Sequence, residues 1–399
     1  MSDFDTLWQG ANAGDPAQQF SLAKHYAKES DYGRSRRWYN KAARSGFSRA
    51  QVELGRQSLF GLGRSASVSE ALEAFRKAAD AGDAEGQFEL ACMHYRGQGT
   101  PRDVQSAAQL LSASARQECA SALLNYALIC AETNDQKRCM PLLRRAAKAG
   151  ESRAAAVIQA QHTLTGDKAT EPASEALNEN HELWCQSLPD LSLSPPTIQQ
   201  PKIPDPQFSL RLFPQLIHPL ACIYLQETAR PDLMPSHTVH PVTGESVHDD
   251  TRSSFGWSFH PGQEDIAITR VKEQLAIQSG LPFSHAEPFA MLRYLPGQQY
   301  REHFDFIDPN SGEAGQEIAQ RGQRVATTFS YLNTVTDGGE TDFPRFGQRI
   351  APIAGNAVFF RNTLDNGDID RHSLHASLPV RRGEKWLATL WFRDRPFTP

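Results

Sequence analysis

Within YLPGQQYREHFD, from Tyr294 to Asp305, His303 and Asp305 set an imidazole and a carboxylate two residues apart. On an extended strand, residues i and i+2 project from the same face, so both side chains reach one point. With a second imidazole from elsewhere, that pair makes the facial triad that holds non-haem Fe(II) and leaves other coordination positions open. An H-x-D alone is a frequent accident, so the rest of the chain must supply the third ligand. His372 and His375, in RHSLHASLPV, are the two candidates, and three residues apart they cannot both point the same way from one extended segment. His237, His240 and His248 have spacings that match no compact metal site and read as loop residues. Asp308 reads as a loop acid and His285 as a strand-end residue. Ten residues beyond His375, Lys385 opens the apolar run KWLATLWFR. A buried cation there is costly unless an anion meets it. A dicarboxylate that chelates the metal at one end and pairs with the lysine at the other would be such an anion.

The elements that must position these residues are strands. AEPFAMLRYL, RVATTFSYLN, NAVFFRN and WLATLWFR are short, aromatic and β-branched, with turn residues between them. Their succession without helical crossovers predicts an antiparallel sandwich or jelly roll. Pro296-Gly297 marks a turn just before the H-x-D strand, and Gly338-Gly339 another before Glu340. By two-residue periodicity Thr389 and Trp391 share the face of Lys385 and should line its pocket. Leu210 to Gln226 and Glu264 to Ser279 have helical spacing of apolar residues and predict flanking helices. The polar stretches Ser236–Ser254 and Pro309–Gln323 read as loops suited to substrate recognition.

The 399 residues are too many for one ordinary domain, and the net charge of −5 is modest. No concentrated basic surface points to nucleic acid, and no apolar run is long enough to span a membrane. The first residues, MSDFDTLWQGANAGD, lack a secretory pattern, and the six cysteines include no C-x-x-C. The expectation is a cytoplasmic protein with free, buried thiols. AGDPAQQFSLA returns as SGFSRAQVELG, AGDAEGQFELA and AGESRAAAVIQ, with a further copy around Ala122 that lacks the glycine. A period in the mid-thirties with two helical stretches per unit predicts an all-α solenoid. Ala42-Ala43, Ala78-Ala79 and Ala146-Ala147 are small enough to let helices approach closely. The segments SRRWYNKAA and EALEAFRKAA and the loops at Gly61–Gly63 and Gly97–Gly99 resemble the Sel-like repeats, relatives of the tetratricopeptide repeats. The domains expected are this array over 1–162, an acidic, proline-rich linker over 163–205 with a short helix from about Glu175 to Ser187, and a catalytic domain over 206–399. Trp184 in the linker is free to dock on either domain.

RYLPGQQYREHFD, RVATTFSYLN, GGETDFP and SLHASLPVRRGEKWLATLWFR, in that order, resemble the prolyl 4-hydroxylase branch of the 2-oxoglutarate- and Fe(II)-dependent dioxygenases. DDTRSSFGW resembles the upstream arginine–serine segment of that family. The resemblance implies a double-stranded β-helix (jelly-roll) domain with flanking helices behind the solenoid. It implies His303, Asp305 and His375 as the iron ligands, since the second histidine of SLHASLPV aligns with the distal ligand. Lys385 is implied to pair with the distal carboxylate of 2-oxoglutarate, with support from Tyr331. Tyr294 is implied to lie near the cosubstrate. The expected cofactors are Fe(II), 2-oxoglutarate and ascorbate as reductant, with succinate and CO2 as co-products. The expected reaction is hydroxylation of a peptidyl proline on a protein or peptide substrate, recruited in part by the repeats, which present a face to a protein partner. The alternatives are hydroxylation of another side chain or a small molecule, or a binding protein without turnover.

Overall fold

The computed structural model describes residues 3–165, 185–202, 209–236, 238–239, 246–247, 251–310 and 314–397. The chain divides into two compact units, 1–194 and 195–399. The first is built of α1 (Asp3–Asn12), α2 (Pro16–Lys28), α3 (Tyr32–Arg44), α4 (Ser48–Leu59), α5 (Val68–Asp80), α6 (Ala84–Arg96), α7 (Val104–Arg116), α8 (Ala120–Glu132), α9 (Gln136–Lys148) and α10 (Ser152–Thr165). Asp15, Asp31, Asp83, Asp103 and Asp135 start five of these helices by accepting backbone N–H groups of the first turn. Gly46, Gly82 and Gly150 follow α3, α5 and α9 at φ of 84°, 81° and 97°. After α7 the same place is taken by Glu118, at φ 60°, which is the copy whose glycine is missing from the sequence. The alanine pairs do set the helix approach: a Cβ on Gly86 of α6 would lie 2.5 Å from the Cβ of Ala78 on α5. Val52, Leu72, Phe75, Leu90 and Met93 fill the space between α4, α5 and α6.

Where it is described, the expected linker is packed rather than free. Cys185, Leu188 and Leu193 are buried. Arg116 Nε donates to the Leu188 carbonyl at 2.7 Å, and the Tyr126 hydroxyl to that of Pro189 at 2.8 Å. The prolines keep this strand of chain extended, and α7 and α8 satisfy the carbonyls that no helix would. Beyond Ser194 the chain joins the second unit, where the Gln199 N–H donates to Gln278. Trp184 and all but the last three residues of the expected Glu175–Ser187 helix lie outside the described residues.

The second unit contains β1 (Arg211–Phe213), β2 (Met234–Pro235), β3 (Thr238–Val239), β4 (Ser246–Val247), β5 (Phe255–Ser258), β6 (Ala290–Tyr294), β7 (Tyr300–His303) and β8 (Arg324–Tyr331). It continues with β9 (Asp337–Gly338), β10 (Thr341–Phe343), β11 (Gln348–Ile350), β12 (Ala357–Arg361), β13 (His375–Ser377), β14 (Val380–Arg382) and β15 (Lys385–Arg393). Its helices are α11 (Pro219–Ala229), α12 (Ile266–Ser279) and α13 (Ala314–Arg321). A seven-stranded sheet runs β1-β12-β8-β15-β6-β5-β2 and a four-stranded sheet β11-β10-β13-β7, all pairs antiparallel. Between them Leu292, Phe329, Phe360 and Leu387 of the large sheet meet Phe343 and Ile350 of the small one. Helix α12 packs on the other face of the large sheet, against β8, β12 and β15. Burial on both faces explains why β15 reads as an almost continuous apolar run.

Two expected elements differ. The helix expected from Leu210 begins only at Pro219, where proline at the first helical position and the His218 cap start it, and β1 precedes it. The loop expected over Pro309–Gln323 contains α13. Most of Ser236–Ser254, with His237, His240 and His248, lies outside the described residues. The six cysteines are free, and all but Cys119 are buried.

Candidate metal and cosubstrate centre

His375 on β13 stands directly opposite His303 on β7, whereas Ser377 stands opposite Tyr300. Four residues on β7, 300–303, therefore lie opposite three on β13, 375–377, which is a bulge. The bulge brings Tyr300 and His303 to one side, with ring centroids 3.4 Å apart and planes 14° from parallel. The strand ends at His303, and Asp305 sits in the bend that follows. Two-residue parity is thus not what delivers the carboxylate. The bend does, and the Thr327 hydroxyl holds it there by donating to Asp305 Oδ2 at 2.7 Å.

The ligand-type atoms of His303, Asp305 and His375 all lie within 4.8 Å of one another. Nδ1 of His303 is 2.7 Å from the Arg301 carbonyl and Nδ1 of His375 is 2.9 Å from that of Ser373. A carbonyl only accepts, so both Nδ1 atoms carry hydrogen, and the neutral form of each ring presents its lone pair at Nε2. The two Nε2 atoms lie 3.9 Å from different oxygens of Asp305, beyond hydrogen-bond range, with room for an ion between them. Burial, reinforced by the neighbouring His375, pushes the pKa of His303 down to about 3. Burial opposes ionisation of Asp305, but His375, His303 and Arg324 outweigh it and hold that carboxyl below its ordinary range. A neutral imidazole and an ionised carboxylate are the protonation states that bind a metal.

His372 is outside this cluster. Its side chain is half exposed, with Nδ1 3.2 Å from Asp370 and its ring against Phe346. Asp308 caps its own turn through the Asn310 N–H, and His285 contacts the Arg393 carbonyl.

A cavity of about 150 Å³ opens beside the three side chains, and Tyr294, Tyr300, Thr341, Ser377, Thr389 and Trp391 are among the residues that line it. Lys385 is fully buried behind that wall. Its Nζ donates to Ser377 Oγ at 2.8 Å and to Thr341 Oγ1 at 3.3 Å, and lies 5.5 Å from the rings of both Tyr294 and Tyr331. Among the described residues no carboxylate forms an ion pair with it, and burial pushes its pKa down to about 7. Tyr331 does not line the cavity; its hydroxyl oxygen is 2.7 Å from Thr341 Oγ1 and reaches the site through that residue. Tyr294 is buried and lines the cavity wall. An oxygen-donor chelate with a distal carboxylate fits this arrangement, because one end offers a triad of two imidazole nitrogens and a carboxylate and the other a buried lysine with no carboxylate ion-paired to it among the described residues.

Thr327 and Arg324 were not singled out in the sequence. Arg324 lines the cavity, donates to both oxygens of Glu287 at 2.7 and 2.8 Å, and lies over the Trp391 ring. Alternation along β8 carried a signal for Thr327, since it shares a face with Phe329 and Tyr331.

The model of the 2OG-Fe(II) oxygenase superfamily matches residues 289–393, and that of the Sel1 repeat matches 19–47, 48–83 and 84–119. Prolyl 4-hydroxylase 13 of Arabidopsis thaliana is 35% identical over 192 residues, covering 44% of this chain and 68% of the relative. Among solved structures, the viral collagen prolyl hydroxylase of Paramecium bursaria Chlorella virus-1, in its 2OG complex, is similar at 25% identity and a TM-score of 0.37. That match covers 47% of this chain and 97% of the other. A Sel1 repeat protein from Oxalobacter formigenes is similar at 24% identity and a TM-score of 0.36, covering 47% of this chain and 76% of the other.

Proposed function

The chain belongs to the prolyl 4-hydroxylase family of 2-oxoglutarate- and Fe(II)-dependent dioxygenases, and from that premise we propose that it hydroxylates a peptidyl proline on a protein recruited in part by its Sel1 repeats. The single observation that carries the assignment of roles is Lys385, a fully buried lysine with no carboxylate ion-paired to it among the described residues, placed behind the wall of a cavity that also holds the His–Asp–His cluster. In this reading His303, Asp305 and His375 hold Fe(II). Lys385 pairs with the distal carboxylate of 2-oxoglutarate, with Thr341 and Ser377 as neutral donors beside it and Tyr331 orienting Thr341.

When bound, the metal and cosubstrate supply the oxidising power that inserts one oxygen atom of O2 into a C–H bond, with succinate and CO2 released. The residues do the rest. The Nδ1 hydrogen bonds to Arg301 and Ser373 keep both imidazoles in the ligating tautomer. Tyr294, Thr389 and Trp391 close the cavity walls against water, and the aromatic face of Trp391 suits the flat, apolar edge of a pyrrolidine ring. Ascorbate would be the reductant of such an iron centre.

The test is to incubate anaerobically purified protein with Fe(II), 2-oxoglutarate and air, with and without proline-containing peptides. Succinate release and a +16 Da shift on a proline are expected. A shift confined to another residue type would replace proline as the substrate, and no succinate under any condition would sink the reading.

A further inference from the structure

Asp305 has no ladder to hold it, and the hydrogen bond from Thr327 leads to a residue that the metal site does not touch. Thr327 is 1% exposed and Asn362, just past the end of β12, is 0% exposed. Asn362 Nδ2 lies 3.0 Å from Thr327 Oγ1, which in turn lies 2.7 Å from Asp305 Oδ2. An ionised carboxylate only accepts, so the Thr327 hydroxyl must donate to it and can only accept from Asn362. The direction of the chain is thereby forced, and it fixes the amide of Asn362 with its NH2 towards Thr327. Its Oδ1 is left buried without a hydrogen-bond partner among the described residues.

The backbone of the same residue leads to a second ligand. The Asn362 N–H donates to the Val325 carbonyl at 2.8 Å, which ties it to β8. Its carbonyl accepts from the Asp370 N–H at 2.9 Å. The Asp370 carbonyl accepts from the Ser373 N–H at 3.0 Å and from the Ser373 hydroxyl at 2.7 Å. The Ser373 carbonyl then accepts from Nδ1 of His375.

We propose that Asn362 is a positioning residue that sets two of the three metal-ligating side chains at once, Asp305 through Thr327 and His375 through the Asp370–Ser373 turn. The inference rests on the reading of the triad as a metal site. It accounts for the buried Thr327–Asn362 pair and for an amide oxygen left without a hydrogen-bond partner among the described residues. Engaging Oδ2 with Thr327 also leaves Oδ1 as the oxygen free to ligate.

The test is Co(II) titration of the metal-free full chain by calorimetry, alongside the thermal midpoint of the same metal-free samples. Thr327→Val and Asn362→Leu should each weaken Co(II) binding by roughly 10- to 100-fold, the usual effect of losing such an outer partner. Thr327→Ser, which keeps the hydroxyl, should retain wild-type affinity. The thermal midpoint of metal-free Asn362→Leu should stay level or rise, because the unpartnered oxygen is gone. A general structural role would instead lower the midpoint in step with the affinity, and that result overturns the proposal. So does wild-type affinity in Thr327→Val, or a Thr327→Ser as weak as the valine. Should Asn362→Leu fail to fold, Asn362→Ala takes its place with the same two readouts, and wild-type affinity in it overturns the proposal. Wild-type protein that binds no Co(II) would sink the metal-site reading itself, which the variants' behaviour cannot mimic.

Discussion

Lys385 shows how much one side chain can specify. Above about pH 7 the buried amine of the free protein has given up its proton, yet pairing with a carboxylate needs the ammonium. Binding of 2-oxoglutarate therefore takes up a proton above that pH, and its affinity should fall as pH rises from about 7 towards 9, by at most about tenfold per unit. Lys385→Met should abolish that slope and weaken binding by roughly ten- to a hundredfold, as measured by anaerobic titration in saturating Fe(II). The two candidate histidines separate just as cleanly. His375→Ala should remove both metal binding and succinate release, whereas His372→Ala should leave them intact. A reversed result would mean that His372 is the ligand. At this scale the sequence was informative about His303, Asp305 and Lys385, whose types and spacing already named a chelate. Spacing alone did not separate His372 from His375, and the family resemblance was what favoured His375; the physical choice lies in the turn at Arg371–Ser373, which throws the first outward and opens β13 with the second.

At the scale of elements, close approach matters more than propensity. Gly86 lies inside α6, where alanine would ordinarily favour the helix by about 1 kcal/mol. A Cβ there would meet Ala78 at 2.5 Å and backbone atoms of α5 at 2.9 Å, so α5 and α6 would have to part. Gly86→Ala should lower the stability of the repeat unit by roughly 1–3 kcal/mol, read from chemical denaturation. The alanine pairs made that contact legible beforehand. The bulge in β7 was not legible, because nothing in YREH marks an extra residue, and only the partner strand reveals that four positions oppose three. The same holds for β1, whose residues fit helical spacing and become a strand because β12 offers an edge to pair with.

Across the whole molecule, two compact units sit in one chain, and the metal and cosubstrate belong to only one of them. Calorimetry of the full chain should resolve two unfolding transitions. Mn(II) with 2-oxoglutarate should raise one by an amount set by ligand concentration, about 2.7 kcal/mol at a hundred times the dissociation constant, and leave the other in place. A single transition, or two that both move, would show that the units unfold together. The division itself could be read from the change in periodicity, from mid-thirties repeats to two-residue alternation. The packed strap of 185–194 could not, because proline-rich composition describes a chain that cannot be helical and is silent about what it rests on.

His375 and Ser377 are alternate residues of one strand, the first aimed at the metal position and the second holding the ammonium of Lys385. Two residues of extended chain rise about 6.7 Å, and nothing in β13 allows that interval to stretch. The strand is therefore a ruler. It measures the carbon chain between the chelating and distal ends of a diacid. With Lys385 in its proposed role, a keto-diacid one methylene shorter than 2-oxoglutarate should reach one anchor or the other but not both, and one a methylene longer should buckle between them, so both should bind more weakly in anaerobic titration.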